Sequence, residues 1–225
     1  MIHAEKASLT YRDGTQALKT FDLHIPKGEL VYITGPSGSG KTSLLKLLMG
    51  IEFTSSGNLE VLGQPMSPHH ESAIRKMRKQ VGPVFQDFRL LEGRTVLDNV
   101  LLGMRFLDIK PHDRKVRAEE SIHRVGLDHK RHHPISNLSW GECQRVSIAR
   151  AVARNPILIV ADEPTGNLDK DNAIHILRLL ESFRSPETTV VITTHATHLM
   201  TTGQPLLHLI MEAGQMTAER RGADV

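Results

Sequence analysis

The stretch that decides the fold reads Leu30-Val-Tyr-Ile-Thr-Gly-Pro-Ser-Gly-Ser-Gly-Lys-Thr-Ser-Leu-Leu-Lys-Leu-Leu-Met49. It begins with an apolar run at 30–34, continues through three glycines at 35–40 and ends in an apolar-rich run at 44–49. An apolar run with β-branched residues is typical of a buried strand, and glycines mark a tight turn of the backbone. The stretch therefore predicts a strand, a glycine-rich loop and a helix, as in α/β folds.

The loop of this stretch has the composition of an anion site. Because Gly35, Gly38 and Gly40 carry no Cβ atom, their backbone N–H groups can close around a phosphate. Lys41 adds a positive charge for the β- and γ-phosphates, Thr42 offers a hydroxyl to Mg²⁺, and the positive end of the helix dipole faces the same anion. The pattern therefore predicts binding of a nucleoside triphosphate with Mg²⁺. The predicted contacts come from consecutive residues: Gly35, Pro36, Ser37, Gly38, Ser39, Gly40, Lys41, Thr42 and Ser43.

The composition limits the class of protein. A chain of 225 residues is long enough for one large α/β domain, and its 39% hydrophobic and 24% charged residues are typical of a soluble protein. No apolar run approaches the roughly 20 residues of a membrane-spanning helix. A net charge of +3 is compatible with phosphate ligands, and 4% aromatic residues offer few stacking platforms, so we expect no nucleic acid partner. With one cysteine, Cys143, and no signal-peptide pattern at the N-terminus, we expect a cytoplasmic location.

The remaining elements follow from periodicity and turn residues. An antiparallel β edge is expected from the first two strands, and strand character disappears between about 95 and 136. We therefore expect a single domain in which 1–94 and 137–225 form the core and 95–136 an inserted helical subdomain. The polar tail 218–225 is expected to be frayed. The predicted strands are 2–10, 18–25, 58–62, 81–85, 157–161, 188–193 and 206–211, and the later helices are 71–80, 96–107, 113–125, 141–153 and 172–183.

Two carboxylates end the apolar run Ile157-Leu-Ile-Val-Ala161. Parallel sheets bind their ligands at the carboxyl edge, which is where Asp162 and Glu163 are expected. Because neighbouring side chains of an extended chain diverge, one carboxylate can face a metal ion and the other a water beyond the γ-phosphate. Further upstream, Ser139 followed by Glu142 predicts a capping box at the start of a helix.

Taken in order, these motifs resemble those of the ABC (ATP-binding cassette) ATPases over essentially the whole chain. That resemblance implies a P-loop NTPase core with a mixed, largely parallel sheet, an antiparallel β subdomain and an inserted α-helical subdomain. The matching segments are Gly35–Thr42 for the Walker A loop, Gln86 for the Q-loop glutamine, Leu138-Ser-Trp-Gly-Glu142 for the signature usually written Leu-Ser-Gly-Gly-Gln, Ile157–Asp162 for Walker B, Gly166-Asn-Leu-Asp169 for the D-loop and His195 for the switch histidine.

The resemblance also implies the roles of individual residues in ATP hydrolysis. Asp162 holds Mg²⁺, largely through water, and Gln86 senses the metal and the attacking water. Glu163 acts as the general base, and His195 contacts the γ-phosphate. Tyr11 matches the aromatic residue that stacks on adenine, although its spacing alone fits a core position equally well.

Family members work as dimers with membrane partners. Two chains pack head to tail, and each ATP lies between one Walker A loop and the other chain. That chain contributes the signature residues Ser139, Gly141 and Glu142 and the region 167–169. The resemblance therefore implies an ATP-dependent homodimer that drives an integral membrane partner, as a peripheral protein on the cytoplasmic face of the bacterial inner membrane.

One residue departs from the family pattern. Trp140 replaces the first glycine of the signature, and its bulk either crowds the γ-phosphate or points into solvent or a partner. Crowding would favour an alternative function, a scaffold in which ATP locks a dimer with little hydrolysis. Two further alternatives fit less well. A P-loop kinase has no use for 138–142, and a repair ATPase usually carries long coiled-coil insertions or tandem cassettes.

Overall fold

The computed structural model describes residues 1–197, 200 and 205–222 of the chain. Its strands are β1 (Ile2–Thr10), β2 (Gln16–Ile25), β3 (Leu30–Thr34), β4 (Ser56–Val61), β5 (Gln64–Pro65), β6 (Val81–Val84), β7 (Leu158–Ala161), β8 (Thr189–Thr194), β9 (Leu206–Glu212) and β10 (Gln215–Arg221). Its α-helices are α1 (Lys41–Leu48), α2 (Glu71–Arg78), α3 (Val96–Leu102), α4 (Pro111–Arg124), α5 (Trp140–Val152) and α6 (Lys170–Glu181). None of the helices in this described part has both the length and the apolar character needed to cross a bilayer.

The chain forms two compact units. The first unit comprises Met1–Arg78 and Arg184–Val225, and the second comprises Lys79–Phe183. The single-domain organisation and the boundaries of the helical insertion at 95–136 stay predictions.

The first unit contains two groups of paired strands. One is antiparallel, in the order β2-β1-β4-β5, which confirms the predicted β edge. The other has the order β10-β9-β3-β8, in which β3 runs parallel to both β8 and β9. All five residues of β3 are buried, as its continuous apolar sequence predicts for a strand covered on both faces. The strand that leads into the glycine-rich loop is therefore held on both sides.

The second unit is built from β6, β7 and four helices. The two strands are parallel, with Val84 opposite Ala161, and every residue of β7 is buried. In α3, the fully buried Asn99 side chain accepts a hydrogen bond from the backbone N–H of Leu91 at 2.7 Å and donates one to the Leu91 carbonyl at 3.2 Å. This amide fixes the loop that follows Gln86.

Two expectations about element ends are wrong. Helix α3 ends at Leu102 instead of 107, where the N–H of Gly103 turns back to the carbonyl of Val100 at 3.1 Å. The tail is not frayed over 218–221, because Gln215–Arg221 forms β10, antiparallel to β9. Almost all side chains of β10 are exposed, so its sequence lacks the apolar alternation that identifies a strand. Residues 223–225 lie outside the described residues.

Candidate functional site

The glycine-rich loop follows β3 in a conformation that only glycine accepts. Gly35 has φ 148°, and a Cβ atom there would lie 2.1 Å from the carbonyl oxygen of Met211. Gly40 has φ 105°, and a Cβ atom there would lie 2.6 Å from the carbonyl oxygen of Ala17. Gly40 is also the N-cap residue of α1, and it makes no side-chain capping hydrogen bond. The path of the loop therefore requires glycine at both positions.

Lys41 lies inside this loop. Its side chain is buried, and Nζ donates to the carbonyl oxygens of Gly35 at 2.8 Å and Pro36 at 3.0 Å. The hydroxyl of Ser39 is also buried and has no hydrogen-bond partner among the described residues. Since a buried hydroxyl without a partner is costly, this cradle fits a ligand with acceptor oxygens, such as a phosphate.

Tyr11 and His195 lie near the loop in the same unit. The Tyr11 hydroxyl is hydrogen-bonded to Oγ of Ser43 at 3.0 Å, which ties the ring to α1. His195 is exposed and directly follows β8, whose last residue, Thr194, lies opposite Thr34 at the end of β3. The first unit therefore gathers Tyr11, the loop and His195 at one edge of its parallel strands.

Behind the loop lies a contact that sequence reasoning missed. His208 on β9 is buried, and its Nε2 lies 2.7 Å from the hydroxyl of Thr34, the residue before Gly35. Burial, and then the positive charge of Arg221, lower the pKa of His208 from its ordinary value. No sequence signal points to this pair, because 174 residues separate its members.

The second unit brings the predicted carboxylates and glutamine together. Asp162 follows β7, and its N–H donates to the carbonyl of Val84 at 2.9 Å, at the end of the strand that leads to Gln86. Gln86 and Asp162 line one open cavity of about 400 Å³, together with Trp140 and Asn167.

Glu163, the candidate general base, has an unusual backbone. Its φ of 44° lies in the left-handed region, which costs a residue with a side chain of order 1 kcal/mol or more and persists only where its surroundings hold it. The N–H of Gly166 donates to the Glu163 carbonyl at 3.2 Å and closes the turn. Strain of this kind is concentrated at functional sites, and here it coincides with a predicted catalytic carboxylate.

The predicted capping box at the start of α5 is confirmed. The Ser139 hydroxyl accepts from the N–H of Glu142 at 3.3 Å, and the Glu142 carboxylate accepts from the N–H of Ser139 at 2.9 Å. The second oxygen of Glu142 accepts from Nζ of Lys130 at 2.6 Å, a partner that sequence reasoning missed. The Lys130 hydrogen bond, and then the Ser139 N–H, hold the pKa of Glu142 below its usual range.

Gly141 and Trp140 of the signature differ in exposure and contacts. Gly141 has an ordinary backbone, and a Cβ atom there would meet Leu168 only at 3.7 Å. The Trp140 side chain is 47% exposed, and its ring contacts the ring of Phe88 edge-on, with centroids 4.5 Å apart. The tryptophan is therefore packed on the chain's own segment after Gln86.

The predicted site residues thus fall into two groups. Tyr11, the loop residues and His195 belong to the first unit, whereas Gln86, the signature residues, Asp162 and Glu163 belong to the second.

Comparison with known proteins assigns the chain to one class of protein. The profile of the ABC transporter family matches residues 18–166, and the chain belongs to this family. A solved dimer of the ATP-binding cassette MJ0796, in a post-hydrolysis state bound to ADP and Pi, is 32% identical with a TM-score of 0.85, covering 99% of this chain and 100% of that one. The chain is thus an ABC-type ATPase that binds and hydrolyses ATP.

Two relatives narrow the class further. The cell division ATP-binding protein FtsE of Haemophilus influenzae is 41% identical over 217 residues, covering 96% of this chain and 99% of the relative. FtsE of Bacillus subtilis is 36% identical over 222 residues, covering 99% of this chain and 97% of the relative.

Proposed function

We propose that this chain is the ATPase subunit of a bacterial cell-division complex, in which it works with an FtsX-like integral membrane protein to control peptidoglycan hydrolysis. The observation that carries the proposal is the 41% identity to an FtsE protein across nearly the full length of both chains. In this role ATP drives a conformational change across the inner membrane, and no solute is pumped.

The active form is a head-to-tail homodimer, peripheral to the cytoplasmic face of the membrane and attached through its partner. The dimeric MJ0796 cassette, which aligns over the full length of this chain, supports this arrangement. Ser139 is exposed at the start of α5, where a partner's nucleotide can reach the helix N-terminus.

ATP binds to the glycine-rich loop, with Lys41 on the β- and γ-phosphates and Tyr11 against the adenine. The buried Ser39 hydroxyl and the Lys41 ammonium inside the loop support this assignment. Thr42, Gln86 and Asp162 would hold Mg²⁺, which proteins usually bind through one or two carboxylates together with substrate phosphates and water. The metal would neutralise charge on the phosphate oxygens.

Hydrolysis then depends on two side chains of this chain. Glu163 orients the attacking water and accepts its proton, which is the role of a general base. His195 donates a hydrogen bond to an oxygen of the γ-phosphate and holds it in line with the water. The dipole of α5 from the other copy stabilises the charge on the same group.

Two other functions keep part of this chemistry. The ATPases of lipoprotein-releasing and macrolide-export systems share the stretch Asp162-Glu-Pro-Thr-Gly-Asn-Leu-Asp169, so the chain could instead serve such a permease. A weakly hydrolysing scaffold is the second alternative, and the bulk of Trp140 in the signature motivates it.

The decisive experiment is a pull-down from detergent-solubilised membranes of the chain's own host. Tagged Glu163→Gln protein with ATP is compared with Lys41→Ala as a control that should lose nucleotide. Nucleotide-dependent recovery of a four-span FtsX-like protein supports the proposal, whereas recovery of a lipoprotein- or drug-exporting permease makes the division assignment wrong.

A phosphate-release assay separates the ATPase from the scaffold. We expect the unmodified protein to release phosphate and Glu163→Gln to form a long-lived ATP-bound dimer. An equally long-lived dimer of the unmodified protein, without phosphate release, would favour the scaffold.

A further inference from the structure

The segment immediately after Gln86 is held in a strained conformation. Phe88 and Arg89 have φ values of 56° and 50°, so two consecutive residues with side chains adopt the left-handed region. Such residues persist only where the surrounding structure imposes their conformation.

The main chain of this segment is held by Arg150 of α5. Its guanidinium donates hydrogen bonds to the carbonyl oxygens of both Phe88 and Arg89. A guanidinium presents its donors in a fixed planar fork, so two bonds to adjacent carbonyls define their orientation. Arg150 is half-buried, and this partial burial lowers the pKa of its guanidinium from the ordinary value.

The side chain of the segment is held by Trp140, at the start of the same helix. The indole ring meets the Phe88 ring edge-on at 4.5 Å and 62°, an arrangement favoured by the charge distribution of aromatic rings. Phe88 is 9% exposed beneath it. Helix α5 therefore holds the segment at two points, through Trp140 and through Arg150.

Gln86 lies next to the residues that make these contacts. Arg89 turns back so that its guanidinium lies 3.9 Å from the ring centroid of Phe85, which brackets Gln86 between two contacting residues. Trp140 and Gln86 also line the same cavity as Asp162. The contacts of Trp140 and Arg150 therefore connect α5 to the segment that directly follows Gln86.

We propose that Trp140 is a positioning residue, which ties the first turn of α5 to the Phe88–Arg89 segment and thereby couples the placement of Gln86 to that of Ser139 and Gly141. The inference rests on the proposed function, because it takes Gln86 to respond to Mg²⁺-ATP. Glycine, the residue usual at this place in the signature, has no side chain for such a contact. The coupling is accordingly a property of this chain's own sequence.

The test uses the fact that Trp140 is the only tryptophan of the chain. Full-length Glu163→Gln protein is titrated with Mg²⁺-ATP while tryptophan emission and its quenching by acrylamide are recorded, and ATP binding is measured in parallel by calorimetry. We expect the emission maximum to shift and to saturate at the ATP concentration that saturates binding. Adding Gln86→Ala should abolish the shift while the glycine-rich loop still binds ATP.

Two variants of the aromatic contact complete the test. In the same background, Phe88→Leu should increase quenching without ATP and abolish the shift, since it keeps an apolar side chain but removes the ring edge. Phe106→Leu is the matched control, because Phe106 is an aromatic residue of the same unit that is 81% exposed, and it should keep the full shift.

A kinetic comparison separates positioning from simple packing. With Glu163 intact, Trp140→Gly should lower kcat for phosphate release with KM for ATP unchanged, and Trp140→Phe should restore kcat. Wild-type kcat in Trp140→Gly would overturn the inference.

The remaining outcomes are also decisive. ATP binding without an emission shift, or a shift that survives Gln86→Ala, overturns the coupling but leaves the proposed function intact. A shift that follows protein concentration instead of ATP occupancy reports contact with the other copy and also overturns it. If ATP does not bind at all, the proposed function fails, and this inference fails with it.

Discussion

The ion pair between Glu142 and Lys130 is expected to stabilise the second unit measurably. Glu142 accepts from Lys130 with one oxygen and from the Ser139 N–H with the other, and the two side chains are 15% and 25% exposed. A glutamine at this place has one acceptor oxygen, so it can accept from the Lys130 ammonium or from the Ser139 N–H but not from both. Its amide NH₂ group, itself a donor, then faces the other of these two donors. Glu142→Gln therefore loses one charge-assisted hydrogen bond.

The size of this effect follows from the exposure of the pair. A hydrogen bond to a charged group is worth about 1.5–3 kcal/mol, and an exposed ion pair about 0.2–1 kcal/mol. Because Lys130 retains some access to water, we expect Glu142→Gln to lower the free energy of unfolding by about 1–2 kcal/mol. For a chain of this length that corresponds to a Tm lower by about 2–8 °C.

The loss should depend on pH in a defined direction. The pKa of Glu142 is lowered in the folded state from its ordinary value of 4.5, so the folded protein binds this proton less readily than the unfolded chain. The stabilisation is fully present above pH 4.5 and is lost as the pH falls through the lowered folded-state pKa. The Tm difference between wild type and Glu142→Gln should accordingly be largest near neutral pH and shrink in acid.

Calorimetry without nucleotide provides the measurement. Lys130→Met should cost about as much as Glu142→Gln, and the double variant should cost less than the sum, since the pair is lost only once. Glu119→Gln is the matched control, because Glu119 lies 3.9 Å from Arg131 at a more exposed place and should shift Tm little. A Glu142→Gln protein that melts at or above the wild-type temperature at pH 7, or a difference that does not shrink in acid, would refute the reasoning.

Three further predictions concern the glycine-rich loop and its support. Lys41→Ala should weaken ATP binding about 10- to 150-fold in calorimetric titration, the loss of a charge-assisted contact worth about 1.5–3 kcal/mol; unchanged affinity would contradict its role. Gly35→Ala should prevent folding, judged by circular dichroism, because its Cβ would lie 2.1 Å from the carbonyl oxygen of Met211, whereas Gly38→Ala, whose Cβ meets no described atom within 4 Å, should fold. Burial lowers the pKa of His208 below its unfolded value, so wild type should lose stability from this group as the pH falls below about 6.5. The Tm of His208→Leu should therefore fall less between about pH 7.5 and 5.5 than the Tm of wild type, and equal losses would contradict this.

Features encoded by neighbouring residues could be predicted from the sequence. The capping box of Ser139 and Glu142 depends on a spacing of three residues, and the loop from Gly35 depends on a strand and a helix directly beside it. The strand β7, which Asp162 and Glu163 follow, could be predicted in the same way, because continuous apolar sequence marks a strand covered on both faces.

Features that depend on distant residues could not be predicted. The contact between Thr34 and His208 joins positions 174 residues apart, and nothing in either local sequence indicates the other. Likewise, no local preference of phenylalanine favours the left-handed backbone of Phe88, whose carbonyl accepts a hydrogen bond from Arg150, 62 residues later. The same is true of Trp140, whose sequence position raised the question of crowding, while its contact with Phe88 emerged only from the fold.

The outermost strand, β10, has a consequence for how the protein behaves in concentrated solution. It pairs with the backbone donors and acceptors of β9, whose sequence Leu-Leu-His-Leu-Ile-Met-Glu at 206–212 is largely apolar. The border of the sheet is therefore β10, which carries Glu219, Arg220 and Arg221. Charged residues on a border strand discourage other chains from adding to the sheet. A chain cut after Gly214 would therefore be expected to form intermolecular β-structure, because β9 would then be the uncovered border strand.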